Sequence, residues 1–187
     1  NNMSNDRINF YYDPSREGYD TALWKTMTGV PAVVGANIQL ASASILNYAD
    51  IYKGNVTFSL LVPAAPTAGD VRFWGFYQPN LDAYIGFDIT NDVFSVQASN
   101  GNGSTTTVVC DWQPSWTNTE HEYQIQWSAS GAVFLVDGVV VVGPSNAEGK
   151  INGDSIPTVA LSTYISNENA DNMLFTYMEA KDIQSYI

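Results

Sequence analysis

At 187 residues, with 45% hydrophobic and 13% aromatic side chains but only 14% charged ones, the chain suits one domain with a full core and a neutral, polar surface. Nineteen acidic against seven basic side chains give a formal net charge of −12, which repels phosphate backbones and anionic headgroups and disfavours nucleic acid and membrane surfaces as partners. No apolar run reaches membrane-spanning length, and a single cysteine, Cys110, excludes an intramolecular disulfide and a thiolate metal cluster.

Residues 1–20 read as an irregular, turn-rich leading segment in which Asp13-Pro14-Ser15 breaks regular structure, with Ile8–Tyr12 as an edge strand. Strands are predicted at 22–27 and 37–41, joined by a Gly- and Pro-bearing connection, and 44–50 reads as a surface excursion. Over 55–62, Val56, Phe58, Leu60 and Val62 share one side. In Val71–Gln78 the alternation sets Val71, Phe73 and Tyr77 against Arg72, Trp74, Phe76 and Gln78. The next strand sets Ala83, Ile85, Phe87 and Ile89 against Tyr84, Gly86 and Asp88. A hairpin closes around Asn100-Gly101-Asn102-Gly103 and returns along Thr105–Cys110, where Cys110 reads as a small buried hydrophobe. The loop that follows carries Trp112, Pro114 and Trp116.

Residues 121–142 hold the strongest local signal. Tyr123, Ile125 and Trp127 alternate with Glu122, Gln124 and Gln126, a short turn leads to 132–136, and Asp137-Gly138 turns the chain into 139–142. Three antiparallel strands in series make a β-meander. Beyond a long polar connection, 156–165 and 174–183 are closing strands around the acidic loop 166–172, the strand at the end being preferred over a helix at 178–186. About a dozen short strands without a convincing helix predict an all-β, two-sheet antiparallel sandwich formed by one domain over 1–187.

The meander, with Tyr123, Trp127, Phe134, Val136, Asp137 and Gly138, resembles that of concanavalin A-like jelly rolls, which include laminin G-type domains, lectins and glucanase-like sandwiches. The resemblance implies a jelly-roll fold and a carbohydrate-related function. In the resembling hydrolases a Glu-x-Asp-x-x-Glu motif follows an aromatic strand and supplies the two carboxylates of retaining chemistry. The corresponding region here reads Tyr84-Ile85-Gly86-Phe87-Asp88-Ile89-Thr90-Asn91-Asp92, and no glutamate occurs between Glu17 and Glu120. One carboxylate does not make the pair, so the expectation is a chain that is not an enzyme. His121, the one histidine, lacks a nucleophile-elbow serine and reads as an ordinary hydrogen-bonded side chain.

Sugar binding needs less: an aromatic ring for the apolar face of a pyranose and polar groups for its hydroxyls. Arg72, Trp74, Phe76, Tyr84 and Asp88 are expected on a common outward face, joined by Gln124 and Gln126 if their strand lies in the same sheet. Trp112 and Trp116 read either as a rim platform or as a plug at one end of the sandwich. Relatives of this fold hold a structural calcium where the leading segment meets the closing strand, which singles out Asp13 and Asp171 as ligands of one such ion. The matches to the glycosylation acceptor pattern at Asn2, Asn55 and Asn102 are those of an Asn- and Ser-rich chain. The sequence reading is therefore a non-catalytic carbohydrate-recognition module binding a neutral glycan, on an extracellular, cell-surface or virion protein. The alternatives are an assembly subunit whose partners are neighbouring protein subunits, and a divergent glycoside hydrolase.

Overall fold

A computed structural model describes residues 8–144 and 149–183. Its elements in chain order are β1 (Ile8–Tyr12), α1 (Pro14–Glu17), β2 (Trp24–Thr28), β3 (Ala32–Val34), β4 (Asn37–Leu40), β5 (Ala43–Asn47), β6 (Gly54–Leu61), β7 (Val71–Gln78) and β8 (Ala83–Thr90). There follow β9 (Val93–Ser99), β10 (Thr105–Cys110), a 3₁₀ turn (Pro114–Trp116), β11 (Glu120–Ser128), β12 (Gly131–Val136), β13 (Val139–Val140), β14 (Lys150–Ile151), β15 (Ser162–Asn167) and β16 (Met173–Ile183).

Two antiparallel sheets result. One runs β10-β9-β8-β7-β15-β5-β2, and the other β13-β12-β11-β6-β16-β4-β3, with β1 added to β16 and β14 to β12. The jelly-roll sandwich expected from sequence is therefore the fold, and the meander is β11-β12-β13. Asp137 and Gly138 both take positive φ, 51° and 81°, the conformation a two-residue hairpin turn requires. The terminal segment is strand through Ile183, as preferred over a helix, and β1 is the expected edge strand.

The departures are local. Asp13-Pro14-Ser15 starts a short helix instead of breaking structure, because Pro14 has no N–H to lose in the first turn and the Asp13 carboxylate accepts from the Ser15 N–H at 2.9 Å. Residues 43–47 are a mostly buried strand and not a surface excursion, since Ile45 seats in the core. The asparagine acceptor site at Asn2 lies outside the described residues.

The core is interlocked by rings from both layers. Trp74 stacks on Phe87 at 5.7 Å and meets Tyr123 of the opposite sheet edge-on at 5.1 Å. Phe87 also meets Phe134 edge-on at 5.4 Å, and Phe76 packs on Trp127 at 5.4 Å. Trp74, Phe76, Phe87, Tyr123 and Phe134 all have no exposed surface.

Arg72 is also fully buried, at the edge of this core. Its guanidinium forms two bonds of 2.9 Å with the Asp171 carboxylate and a third, of 3.0 Å, with Asn167 Oδ1. Asn167 in turn donates to Leu40 O and Asp171 O, so one buried cation ties the β15–β16 turn to β7 and β4. Because Trp74 fills the core, Trp74→Ala is expected to cost about 3–5 kcal/mol of stability, read as a lowered urea midpoint with the far-ultraviolet β signature retained.

Candidate active site

The inward seating of Trp74 and Phe87 sets which side chains of β7 and β8 face out. In the ladder Phe73 opposes Asp88, Gly75 opposes Gly86, and Tyr77 opposes Tyr84. On the flanking strands Gln97 of β9 lies beside Gly86, and Tyr164 of β15 beside Gly75. The outer face of the seven-stranded sheet thus carries a depression of about 180 Å³ lined by Phe73, Tyr77, Tyr84, Asp88, Gln97 and Tyr164, all half-buried. Its rings form a connected set: Tyr77–Tyr164 at 4.9 Å, Phe73–Tyr164 at 5.9 Å, and Phe73–Tyr84 at 6.1 Å and 84°.

Gly86 lets one ring settle onto the backbone, while Gly75 faces backbone alone. A Cβ at Gly86 would stand 2.3 Å from Phe73 Cζ, so the Phe73 ring occupies the space a side chain would need there. A Cβ at Gly75 would stand 2.3 Å from the backbone oxygen of Ile85.

Asp88 is the single acidic residue in the seven strands of this sheet. Burial raises its pKa, and the hydroxyl of Thr90, donating to Asp88 Oδ2 at 2.7 Å, partly opposes that shift. The phenol of Tyr84 is also raised, first by burial and then by the charge of Asp82, with a hydrogen bond to Thr105 opposing. Gln97 donates its amide to Ser95 Oγ at 3.1 Å. The site therefore offers a carboxyl group that holds its proton above the usual aspartate range, beside rings and amide or hydroxyl dipoles.

The sequence-expected site is split by the structure. Tyr84 and Asp88 do share the outer face, but Arg72, Trp74 and Phe76 point the opposite way into the sandwich with no exposed surface. The alternation was sound, and its assignment to inside and outside was inverted for β7. The ladder pairs Trp74 with Phe87 and Phe76 with Ile85, so the even-numbered positions of β7 share a face with the odd-numbered positions of β8. Gln124 and Gln126 belong to β11 of the other sheet, beside Thr57 and Asn55 of β6, and so cannot join Asp88.

The calcium candidates have other partners. Asp13 caps α1, its Oδ1 also accepting from the Ser15 hydroxyl at 2.6 Å, and Asp171 gives both oxygens to the Arg72 guanidinium. Among the described residues no group of three or more His, Cys, Asp or Glu side chains forms a metal-holding cluster. These two carboxylates do not fit a calcium ion.

Phe73, Tyr77, Gln97 and Tyr164 were missed. The signal for the first two was the antiparallel register of Val71–Gln78 against Ala83–Thr90; Tyr164 and Gln97 needed the strand order. Trp112 and Trp116 act as a plug, each edge-on to Phe94, with the Trp112 indole N–H donating to Thr117 Oγ1 at 2.9 Å. His121 is held by Asp137 at 2.5 Å and by Thr119 and the carbonyl of Ser115. Cys110 is buried, with its thiol pushed up to about 11 by desolvation.

The raised pKa of Asp88 has a stability consequence. Well below the usual aspartate range both folded and unfolded states hold the proton, and Asp88→Asn is expected to leave the urea midpoint unchanged. As pH climbs from the ordinary aspartate range to the raised folded value, the unfolded chain ionises Asp88 more readily than the fold does, so wild type loses stability that the amide keeps and the variant should gain on it; a gain that shrinks over this window would refute the assignment.

Comparison with known proteins gives the family and the fold. The model of glycosyl hydrolases family 16 matches residues 85–183, more than half of the chain, beginning within β8 and including Asp88. Among solved structures, a prokaryotic beta-1,3-1,4-glucanase (lichenase) derived from a mouse hindgut metagenome is 13% identical, with a TM-score of 0.71 over 94% of this chain and 99% of that one. The apo Crh5 transglycosylase is 15% identical, with a TM-score of 0.68 over 93% and 84%. The exoplasmic/lumenal domain of VIP36, in a Ca2+/Man3GlcNAc-bound form, is 12% identical, with a TM-score of 0.61 over 88% and 86%. At such identities these likenesses show the concanavalin A-like fold. No curated protein matches. The family match overturns the expectation, drawn from the missing carboxylate pair, that the chain is not an enzyme. With the family's model matched from β8 to the closing strand β16, the chain belongs to glycosyl hydrolase family 16.

Proposed function

We propose that the chain is a divergent glycoside hydrolase or transglycosylase that takes a glycan across the outer face of the seven-stranded sheet and uses Asp88 to move the proton at the glycosidic oxygen. The observation that carries this reading is the setting of Asp88: a lone, half-buried carboxyl group with a raised pKa, within the segment matched by the family and ringed by Phe73, Tyr84 and Tyr164. The lichenase and the transglycosylase that share the fold support it.

The chemistry follows from that setting. A general acid must still hold its proton when substrate arrives, and burial shifts Asp88 in that direction. The rings cover the apolar face of a pyranose and displace water, which strengthens each polar contact made beneath it. A depression of about 180 Å³ is small against ordinary ligand pockets, so one sugar ring seats there and the rest of the glycan lies along the open sheet. After the leaving oxygen takes the proton, the Asp88 carboxylate accepts one from whatever replaces it. Water gives hydrolysis; a sugar hydroxyl gives transfer.

Incubation with glucans, galactans and aminosugar polymers is expected to yield new reducing ends or re-joined oligosaccharides. Asp88→Asn should slow this by about 10²- to 10⁴-fold, and the rate should fall on the alkaline side as Asp88 loses its proton. Turnover by the Asp88→Asn variant equal to wild type on every polymer would refute the assignment.

A further inference from the structure

An open sheet ends in strands whose outer backbone groups lack a partner, and such edges are ordinarily guarded by shortness, by a lysine or proline, or by a bulge. Among the described residues, three sheet ends follow this rule. β3 has three residues and follows Pro31, β13 has two, and β2 carries the exposed Lys25 and a register shift between Thr26 and Thr28. β10 has none of these devices. It runs as Thr105-Thr106-Thr107-Val108-Val109-Cys110, with no charge, no proline and an unbroken register against β9.

Two hydrogen bonds fix where its free groups point. The Asn100 N–H donates to Ser104 O at 3.1 Å, so 100 and 104 are a bonded pair, and antiparallel alternation then gives Thr106, Val108 and Cys110 to β9. The N–H and C=O groups of Thr105, Thr107 and Val109 therefore point away from the sheet. Asp111, next in that odd-numbered series, agrees: its N–H reaches outward to Val142 O at 2.8 Å. Among the described residues no backbone group bonds Thr105, Thr107 or Val109 on that side, and all three are exposed. β14 touches both β9 and β10, and the Ser155 hydroxyl meets that of Thr106, so this layer covers the inner face of the edge and not its rim.

We infer that β10 is the contact between two copies of this chain, which pair antiparallel about a twofold axis at Thr107 and join their seven-stranded sheets into one. Register and charge select this occupant. A second β10 offers the same three residues at the spacing required: Thr107 faces its own counterpart, and Thr105 faces Val109. In a chain of net charge −12 this strand is an uncharged stretch on which two copies can approach. Asp111, the acid that directly follows it, lies about 27 Å from its mate in this register, well beyond a Debye length of about 8 Å. The outer faces of β8, β9 and β10 then continue across the axis. Five strand spacings, about 24 Å, separate the two copies of β8, so both Asp88 depressions face one polymeric glycan. The contact itself does not depend on the role assigned to Asp88.

In sedimentation equilibrium the wild-type chain is expected to climb from 20.4 kDa towards twice that mass over about two decades of concentration. Thr107→Pro deletes one outward N–H and leaves the ladder to β9 whole, so it should keep the far-ultraviolet β signature and hold the monomer mass throughout. Val109→Lys, which puts a charge on the same rim, should weaken association at least tenfold. Cysteine variants read the register, since Cys110 is buried. The Cα atoms of Thr107→Cys stand about 5.5 Å apart across the axis, and oxidised glutathione should link this variant into covalent dimers. Thr105→Cys, about 14 Å from its own counterpart, should stay unlinked. A monomer at every concentration, a dimer that neither Thr107→Pro nor Val109→Lys weakens, or linkage of Thr105→Cys in preference to Thr107→Cys overturns the inference.

Discussion

The structure depends on one packing contact, the wedge of Trp74 and Phe87 against Tyr123 and Phe134 between the two sheets. A strand has only two sides, so seating one large ring fixes every other residue on it. With Trp74 inside, Phe73, Gly75 and Tyr77 must face out. With Phe87 inside, so must Tyr84, Gly86 and Asp88. The candidate site is the complement of the core, decided by the same contact.

That complement has an uneven chemistry. Rings are abundant on it and charge is scarce, which suits a sugar's alternation of apolar face and hydroxyl rim better than it suits an ion. The glycine pair at its centre lowers the floor, and Phe73 leans into the space this leaves.

The buried charge of the fold lies elsewhere. Arg72 sits behind the site strand and is neutralised by Asp171, with Asp70 at 3.9 Å, so the expected ligand-binding arginine is a structural tie. An unpaired guanidinium in that position would be costly; with its carboxylate and Asn167 satisfied, it fixes the end of β7 relative to the turn before β16. Asp88, by contrast, has the Thr90 hydroxyl for a partner, and its burial raises its pKa.

Local chemistry alone determined a good part of this protein. Alternation of apolar residues marks most of the strands and Asp137-Gly138 marks the meander turn, because these depend on neighbours within a few positions, and the one cysteine excludes an intramolecular disulfide. It also determined that Tyr84 and Asp88 share a side, since both lie on one strand at even spacing. Which side of each strand meets the other sheet was decided only by tertiary structure. Arg72-Phe73-Trp74-Gly75-Phe76-Tyr77 is aromatic on both sides, so its pattern cannot say which rings the opposite sheet will accept. The placement of Gln97 and Tyr164 beside Asp88, and of Gln124 and Gln126 away from it, likewise rests on strand order between segments up to about eighty residues apart, which long-range pairing alone sets.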